Sequence, residues 1–145
     1  MKITIMDRAD DEEDEIIIRC RNMDRQLLNL IYAIRARQDK ILALKGSEYV
    51  QIEPEKIYYF EAVDNSVFLY LEKEVYEVKQ KLYELEKRFS GTDFFRASKS
   101  CIVNLAKVKS LSPAFNGRFE AQMRNGEKIV ISRQYVPVLK EKLGL

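Results

Sequence analysis

Apolar positions along this chain of 145 residues change their period twice. In Lys2–Met6, Ile3 and Ile5 alternate with their neighbours, and Ile16-Ile17-Ile18 forms a short apolar run, so both stretches read as strands flanking the acidic turn Asp10–Glu15. Behind Asp24, a residue suited to capping, Leu27, Leu28, Ile31 and Ile34 recur at helical spacing, with Arg35 and Arg37 near the end where cations suit the helix dipole. Leu30 and Tyr32 widen the apolar surface beyond one stripe. That suits a helix packed internally, and equally one that also meets a second subunit.

From Lys40 onward the pattern turns to period two or to short apolar bursts, over 41–44, 49–52, 57–60, 67–71, 75–78, 97–103, 108–111, 119–123 and 129–131. Many short strands at close intervals indicate antiparallel β structure. Asp64-Asn65, Asn116-Gly117 and Asn125-Gly126 tolerate the positive φ that tight hairpins demand, and Pro54 suits a loop. One interruption is helical: Val78, Leu82, Leu85 and Phe89 share a face and the segment stops near Ser90-Gly91. The last segment, 135–143, also reads as a helix, with Pro137 acceptable in its first turn. The fold class is therefore α+β, mainly β: an antiparallel β domain with short helices, preceded by a small β-β-α extension.

Charge divides the chain. Residues 1–15 hold seven acids against Lys2 and Arg8, a net of −5, whereas from Phe94 to the end ten Lys and Arg face three Glu, a net of +7. The overall value of +2 conceals that basic half. Histidine is absent, which removes catalytic triads and His-ligated zinc. Five glycines leave no phosphate-cradling GxxxxGK or GxGxxG loop. A hydrolase or transferase working through Lys99 or Glu61 therefore starts weak, and no cofactor, metal or small-molecule substrate is expected. Cys20 and Cys101 stand singly in apolar surroundings and read as buried free thiols. No apolar run approaches the roughly 18 residues of a membrane span and the first residues lack a signal-peptide core, so a cytoplasmic protein is expected.

Candidate chemistry concentrates around Arg96, Ser98, Lys99 and Ser100, ahead of the apolar Cys101-Ile102-Val103. Read as one strand, this segment places Ser98 and Ser100 on one face and Lys99 on the other. Arg or Lys can donate to guanine N7 and O6, while Ser hydroxyls hold phosphate oxygens. The same residues could equally form a solvated strand end.

The segment 94–105 (FFRASKSCIVNL), with Phe115-Asn116-Gly117-Arg118-Phe119, 125–135 (NGEKIVISRQY) and the closing 139–143 (LKEKL), resembles the LytTR family of bacterial DNA-binding domains from about Lys45 to Leu145. The resemblance implies major-groove contact by loops rather than by a recognition helix. It carries base contacts onto Asn65 and Ser66, Ser98 and Lys99, and Arg133, and phosphate contacts onto Arg96, Lys79, Lys81 and Ser100. Many family members have His followed by Asn or Arg where this chain has Ser98 and Lys99, so its base preference should differ. Asn104 is expected to cap a local turn. Tyr58-Tyr59-Phe60 is expected in the sheet rather than on a base-stacking platform.

The family's usual receiver domain would need more residues than the first 44 supply, so the resemblance is to stand-alone LytTR regulators, often controlled by a companion membrane protein. The expected function is sequence-specific binding of double-stranded promoter DNA by a homodimer joined through residues 1–44. The alternative is a protein-interaction module that uses the N-terminal helix without binding DNA.

Overall fold

The side chain of Asp24 accepts the backbone N–H of Leu27 at 2.8 Å, which starts helix α1 (Arg25–Gln38) where a capping residue stands in the sequence. This computed structural model describes the backbone of residues 1–145 and the side chains of all but residues 36–38, so the cation expected at Arg37 lies outside the described residues. Ahead of α1 the two expected strands are not formed: residues 1–24 carry a turn at 10–12 and a bend at 21–22, and Ile3, Ile5, Ile16 and Ile17 are exposed. Alternation alone does not make a strand, because a ladder needs a partner edge and neither stretch pairs with one. Cys20 lies in this unpacked stretch and is exposed, which corrects the expectation of a buried thiol there, while Cys101 is buried.

Ten antiparallel strands follow in two sheets. The first sheet contains β1 (Ile41–Lys45), β2 (Glu48–Ile52), β3 (Tyr59–Val63), β4 (Ser66–Tyr70), β5 (Val75–Val78), β6 (Phe94–Ser98) and β7 (Cys101–Asn104), in the order β2-β1-β5-β4-β3-β7-β6. The second contains β8 (Val108–Pro113), β9 (Phe119–Met123) and β10 (Lys128–Ile131), with β9 central. Two short helices cover them: α2 (Leu82–Arg88) and α3 (Val136–Leu143), the latter with Pro137 in its first turn.

The central strands are buried on both faces, which explains why they read as apolar runs instead of clean alternation. Phe60, Leu69, Phe94 and Ile102 point to one side, where Leu82, Leu85 and Phe89 of the α2 segment close the core. Phe60, Phe89 and Phe94 pack there as tilted rings with centroids 4.6 to 5.8 Å apart. Tyr59, Phe95, Ala97, Cys101 and Val103 point to the other side, onto Ala121, Met123 and Ile131 of the second sheet and Val136 and Leu139 of α3. Tyr58, Tyr59 and Phe60 are thus sheet interior, as expected. Asn104 is buried and doubly bonded, accepting from Ala106 N–H at 3.1 Å and donating to the Ile57 carbonyl at 2.8 Å, so it caps a turn as its position suggested.

One expected element divides in two. The run 97–103 is a hairpin, β6 then β7, with Lys99 and Ser100 as its turn. The single strand expected to set the faces of Ser98, Lys99 and Ser100 is therefore not formed: Ser98 ends β6, and Lys99 and Ser100 make the turn. The turn lacks the glycine or asparagine that usually announces one; the Arg96 side chain holds it instead, by donating to the Ser98 and Lys99 carbonyls.

Candidate nucleic-acid interface

Antiparallel pairing brings the functional candidates to one end of the first sheet. β3 rises to Val63 and turns through Asp64 and Asn65, whose φ of 48° and 67° suit a tight hairpin and need short polar side chains. β7 starts at Cys101 opposite Glu61, so the Lys99–Ser100 turn emerges beside that hairpin, tied to it by Ala62 N–H donating to the Ser100 carbonyl at 2.8 Å. Val67 faces Val78, which brings Lys79 out at the same end on the far side of Ser66. On the other flank, Ser132 N–H donates to the Ala97 carbonyl at 2.8 Å and delivers Arg133 next to β6.

The order across the sheet end is Lys79, then Asn65 and Ser66, then Lys99 with Ser98 and Ser100, then Arg133. From β5 to β6 there are four strand-to-strand steps, roughly 19 Å. Asn65, Lys79, Lys81, Lys99, Ser100 and Arg133 are exposed; Ser66, Ser98 and Arg96 are half-buried. Lys79, Lys81, Lys99 and Arg133 are the exposed cations of the row, with Asp64 at the hairpin tip and Glu84 and Glu86 beside Lys81 and Arg96.

Not all the predicted groups are equally free to bind. Arg96 is committed inward: Nε donates to the Ser98 carbonyl at 2.7 Å, a terminal nitrogen to the Lys99 carbonyl at 2.5 Å, and the other terminal nitrogen faces Glu86 at 3.4 Å. Its fork thus satisfies the turn's own carbonyls. The Ser98 and Ser100 hydroxyls lie 3.4 Å apart, and Ser98 Oγ also accepts Ser100 N–H at 3.3 Å. Lys79 Nζ donates to Tyr49 Oη at 3.2 Å and lies over that ring. Lys81 sits at the N-cap of α2, its backbone N–H bonded to Glu84 Oε1 at 3.2 Å while its ammonium is exposed.

Beneath the row, burial pushes the Cys101 thiol up to about 12, with Glu61 adding to the rise and Arg96 opposing it. The thiol is therefore neutral and inert at ordinary pH. Among the described residues, no group of three or more His, Cys, Asp or Glu is placed to hold a metal ion. No helix among them is long and apolar enough to cross a membrane.

A fourth loop, the Asn116-Gly117 turn, reaches the same end, although no base or phosphate contact was expected from its residues. Pro113 faces Phe119, which faces Ile131, so the β8–β9 hairpin tip stands beside the segment leading to Arg133. A Cβ added at Gly117 would meet Arg133 Cδ at 3.2 Å and Cγ at 3.3 Å, so that backbone rests on the arginine stem. The Asn116-Gly117 pair announced the turn, but nothing in one sequence says which loops share an end.

The LytTr DNA-binding domain family matches residues 47–144. Sensory transduction proteins LytT are similar to the chain at 28% identity, over 78% of this chain and 47% of the protein from Enterococcus faecalis, and over 93% and 57% for that from Bacillus subtilis. The chain spans about half the length of these curated relatives. An uncharacterized HTH-type transcriptional regulator of Staphylococcus aureus is 28% identical over 100% of this chain and 99% of its own. A solved LytTr DNA-binding domain from Bacillus cereus superposes with a TM-score of 0.69 at 25% identity, covering 73% of this chain and 97% of that one.

Proposed function

The chain belongs to the LytTr DNA-binding domain family, a non-enzymatic regulator fold, and from that membership we propose that it is a transcription regulator that binds specific double-stranded DNA by laying loops into the major groove. The observation that carries this reading is the row of cationic loops at one sheet end, from Lys79 to Arg133. A major groove about 12 Å wide admits neighbouring turns of the row, with the Lys79 end left against the phosphates. No two α-helices follow one another along the chain among the described residues, so a helix-turn-helix is not the reading element.

Lys99 and Arg133 are assigned to guanine edges, Asn65, Ser66 and Ser98 to neighbouring base edges, and Lys79, Lys81 and Ser100 to phosphates. Arg96 is better placed as the brace of the Lys99 turn than as a phosphate ligand, since each of its three nitrogens already donates within the protein. The test is selection of bound sequences from random duplex DNA, followed by affinity against salt. A consensus should emerge, and log affinity should fall with log salt by about 0.9 per neutralised phosphate. No enriched sequence, or a salt-insensitive interaction, would remove the reading.

Self-association through residues 1–44 completes the proposal. None of the described side chains of α1 is buried, and Leu28, Leu30 and Tyr32 are exposed, an apolar helix surface suited to a second copy. Asn29 abuts Gly91 just ahead of β6, at the sheet end away from the Lys99 turn, so pairing there leaves both loop rows free.

A further inference from the structure

Resting on the DNA-binding reading, we infer that the β8–β9 hairpin tip is an additional reading element, in which Phe115 packs on the C5-methyl of a thymine next to the base read by Arg133. Of the seven phenylalanines, Phe60, Phe89, Phe94 and Phe95 are buried and Phe68 and Phe119 half-buried; Phe115 alone is exposed, at 83%. A lone exposed aromatic is common enough on protein surfaces. This one differs in being held out on a stiff tip beside a proposed base reader.

The stiffness has definite sources. Ala114 N–H donates to the Arg118 carbonyl at 2.8 Å, and Arg118 N–H to the Phe115 carbonyl at 3.4 Å, closing the tip from both sides. Asn116 and Gly117 follow with φ of 61° and 73°, two consecutive left-handed residues that fix where the ring leaves the loop. Gly117 in turn rests on the Arg133 stem, so the ring and the guanidinium belong to one local unit. A bulky side chain at residue 117 would displace that stem.

Chemistry selects the partner. Arg118 in the same tip and Arg133 against Gly117 are both exposed cations, which favours a polyanion over an apolar protein surface as the partner of this tip. Along a major groove the apolar feature on offer is the thymine methyl, and an apolar side chain touching it separates thymine from cytosine at that step. Phe115 thereby adds sequence information where Arg133 alone would read one guanine.

The experiment uses the full chain and its selected operator, with each thymine replaced singly by deoxyuridine. At one thymine the replacement should weaken the wild type about four-fold, the value of one buried methyl group. Phe115→Ala should bind the unmodified operator about ten-fold more weakly and be indifferent to that replacement, while Phe115→Leu, which keeps apolar bulk, should retain most of the dependence. Unchanged thermal unfolding of both variants would show that the fold is intact. Wild-type affinity in Phe115→Ala, or a loss that no deoxyuridine position shares, would overturn the inference while leaving DNA binding in place. Failure of the wild type to select any sequence would overturn both together.

Discussion

The hydroxyl of Tyr59 in β3 donates to Oε2 of Glu127, in the turn between β9 and β10, across 2.7 Å, so a single side chain of the first sheet reaches the second. Tyr59 also stacks on Tyr70 with centroids 4.2 Å apart, and Tyr70 donates to Glu61 at 3.4 Å. Burial, reinforced by the Glu127 hydrogen bond, raises the Tyr59 hydroxyl above its ordinary value. Because the folded form keeps its proton after the unfolded chain has lost it, this contribution is complete below about pH 10 and declines as the pH rises beyond. Tyr59→Phe should cost about 1 kcal/mol at neutral pH, since exposed Glu127 regains water, and should soften the alkaline fall in stability. Urea midpoints at pH 7 and near pH 10.5 check both; an unchanged midpoint at pH 7 would show that the tie contributes nothing.

Arg96→Ala should weaken specific DNA binding about ten-fold while leaving the salt slope unaltered, because what is lost is the support of the Ser98 and Lys99 carbonyls rather than a phosphate contact. Arg96→Lys should rescue little, since an ammonium cannot reproduce the fork. Salt titration of affinity decides between the two roles: a slope reduced by about one would make Arg96 a phosphate ligand after all.

Lys99→Ala and Arg133→Ala should each cost about 1–3 kcal/mol on the selected operator and flatten preference at one position. Lys79→Ala and Lys81→Ala should instead weaken specific and scrambled duplexes alike and reduce the salt slope by about one each. Competition between cognate and scrambled duplexes separates them. Equal losses on both duplexes for Lys99→Ala or Arg133→Ala would turn those residues into phosphate clamps.

Removing residues 1–39 should convert a dimer into a monomer that still shifts DNA, only more weakly, because the seven-stranded sheet begins with β1 and retains its partners. Sedimentation of the full and shortened chains checks it. A full-length chain that sediments as a monomer with and without DNA would refute pairing through this segment.

Much of the fold was legible because its signals are local. Asp24 before Leu27, Asp64-Asn65 between two apolar bursts, and Pro137 near a helix start each specify their own structure through one or two side chains. The N-terminal strands failed for the complementary reason: Ile3, Ile5 and Ile16–Ile18 have the composition of strands, but pairing depends on an edge that no local pattern records. The hairpin at Lys99 was hidden because Arg96, three residues away, replaces the usual turn residue. Of the candidate site, the sequence supplied the basic residues as candidates. Their order across the sheet, the inward commitment of Arg96 and the presence of Phe115 depend on register and on long-range bonds such as Ala62 to Ser100, which one sequence does not display.

Those cross-loop bonds also bear on how a protein of this build can change its target. Ala62 to Ser100 and Ala97 to Ser132 fasten the loops to the strands beneath them, so the distance between one reading position and the next is set by β-sheet spacing and not by loop length. Little backbone freedom remains to be surrendered on binding, which keeps the entropic cost low. On the proposed reading the same rigidity acts as a ruler: substitutions at residues 65, 66, 98, 99 and 133 would rewrite which bases are preferred, whereas the interval between the bases read would be inherited with the sheet. Divergence among such proteins should therefore appear in the letters of their operators while the gaps between those letters stay constant.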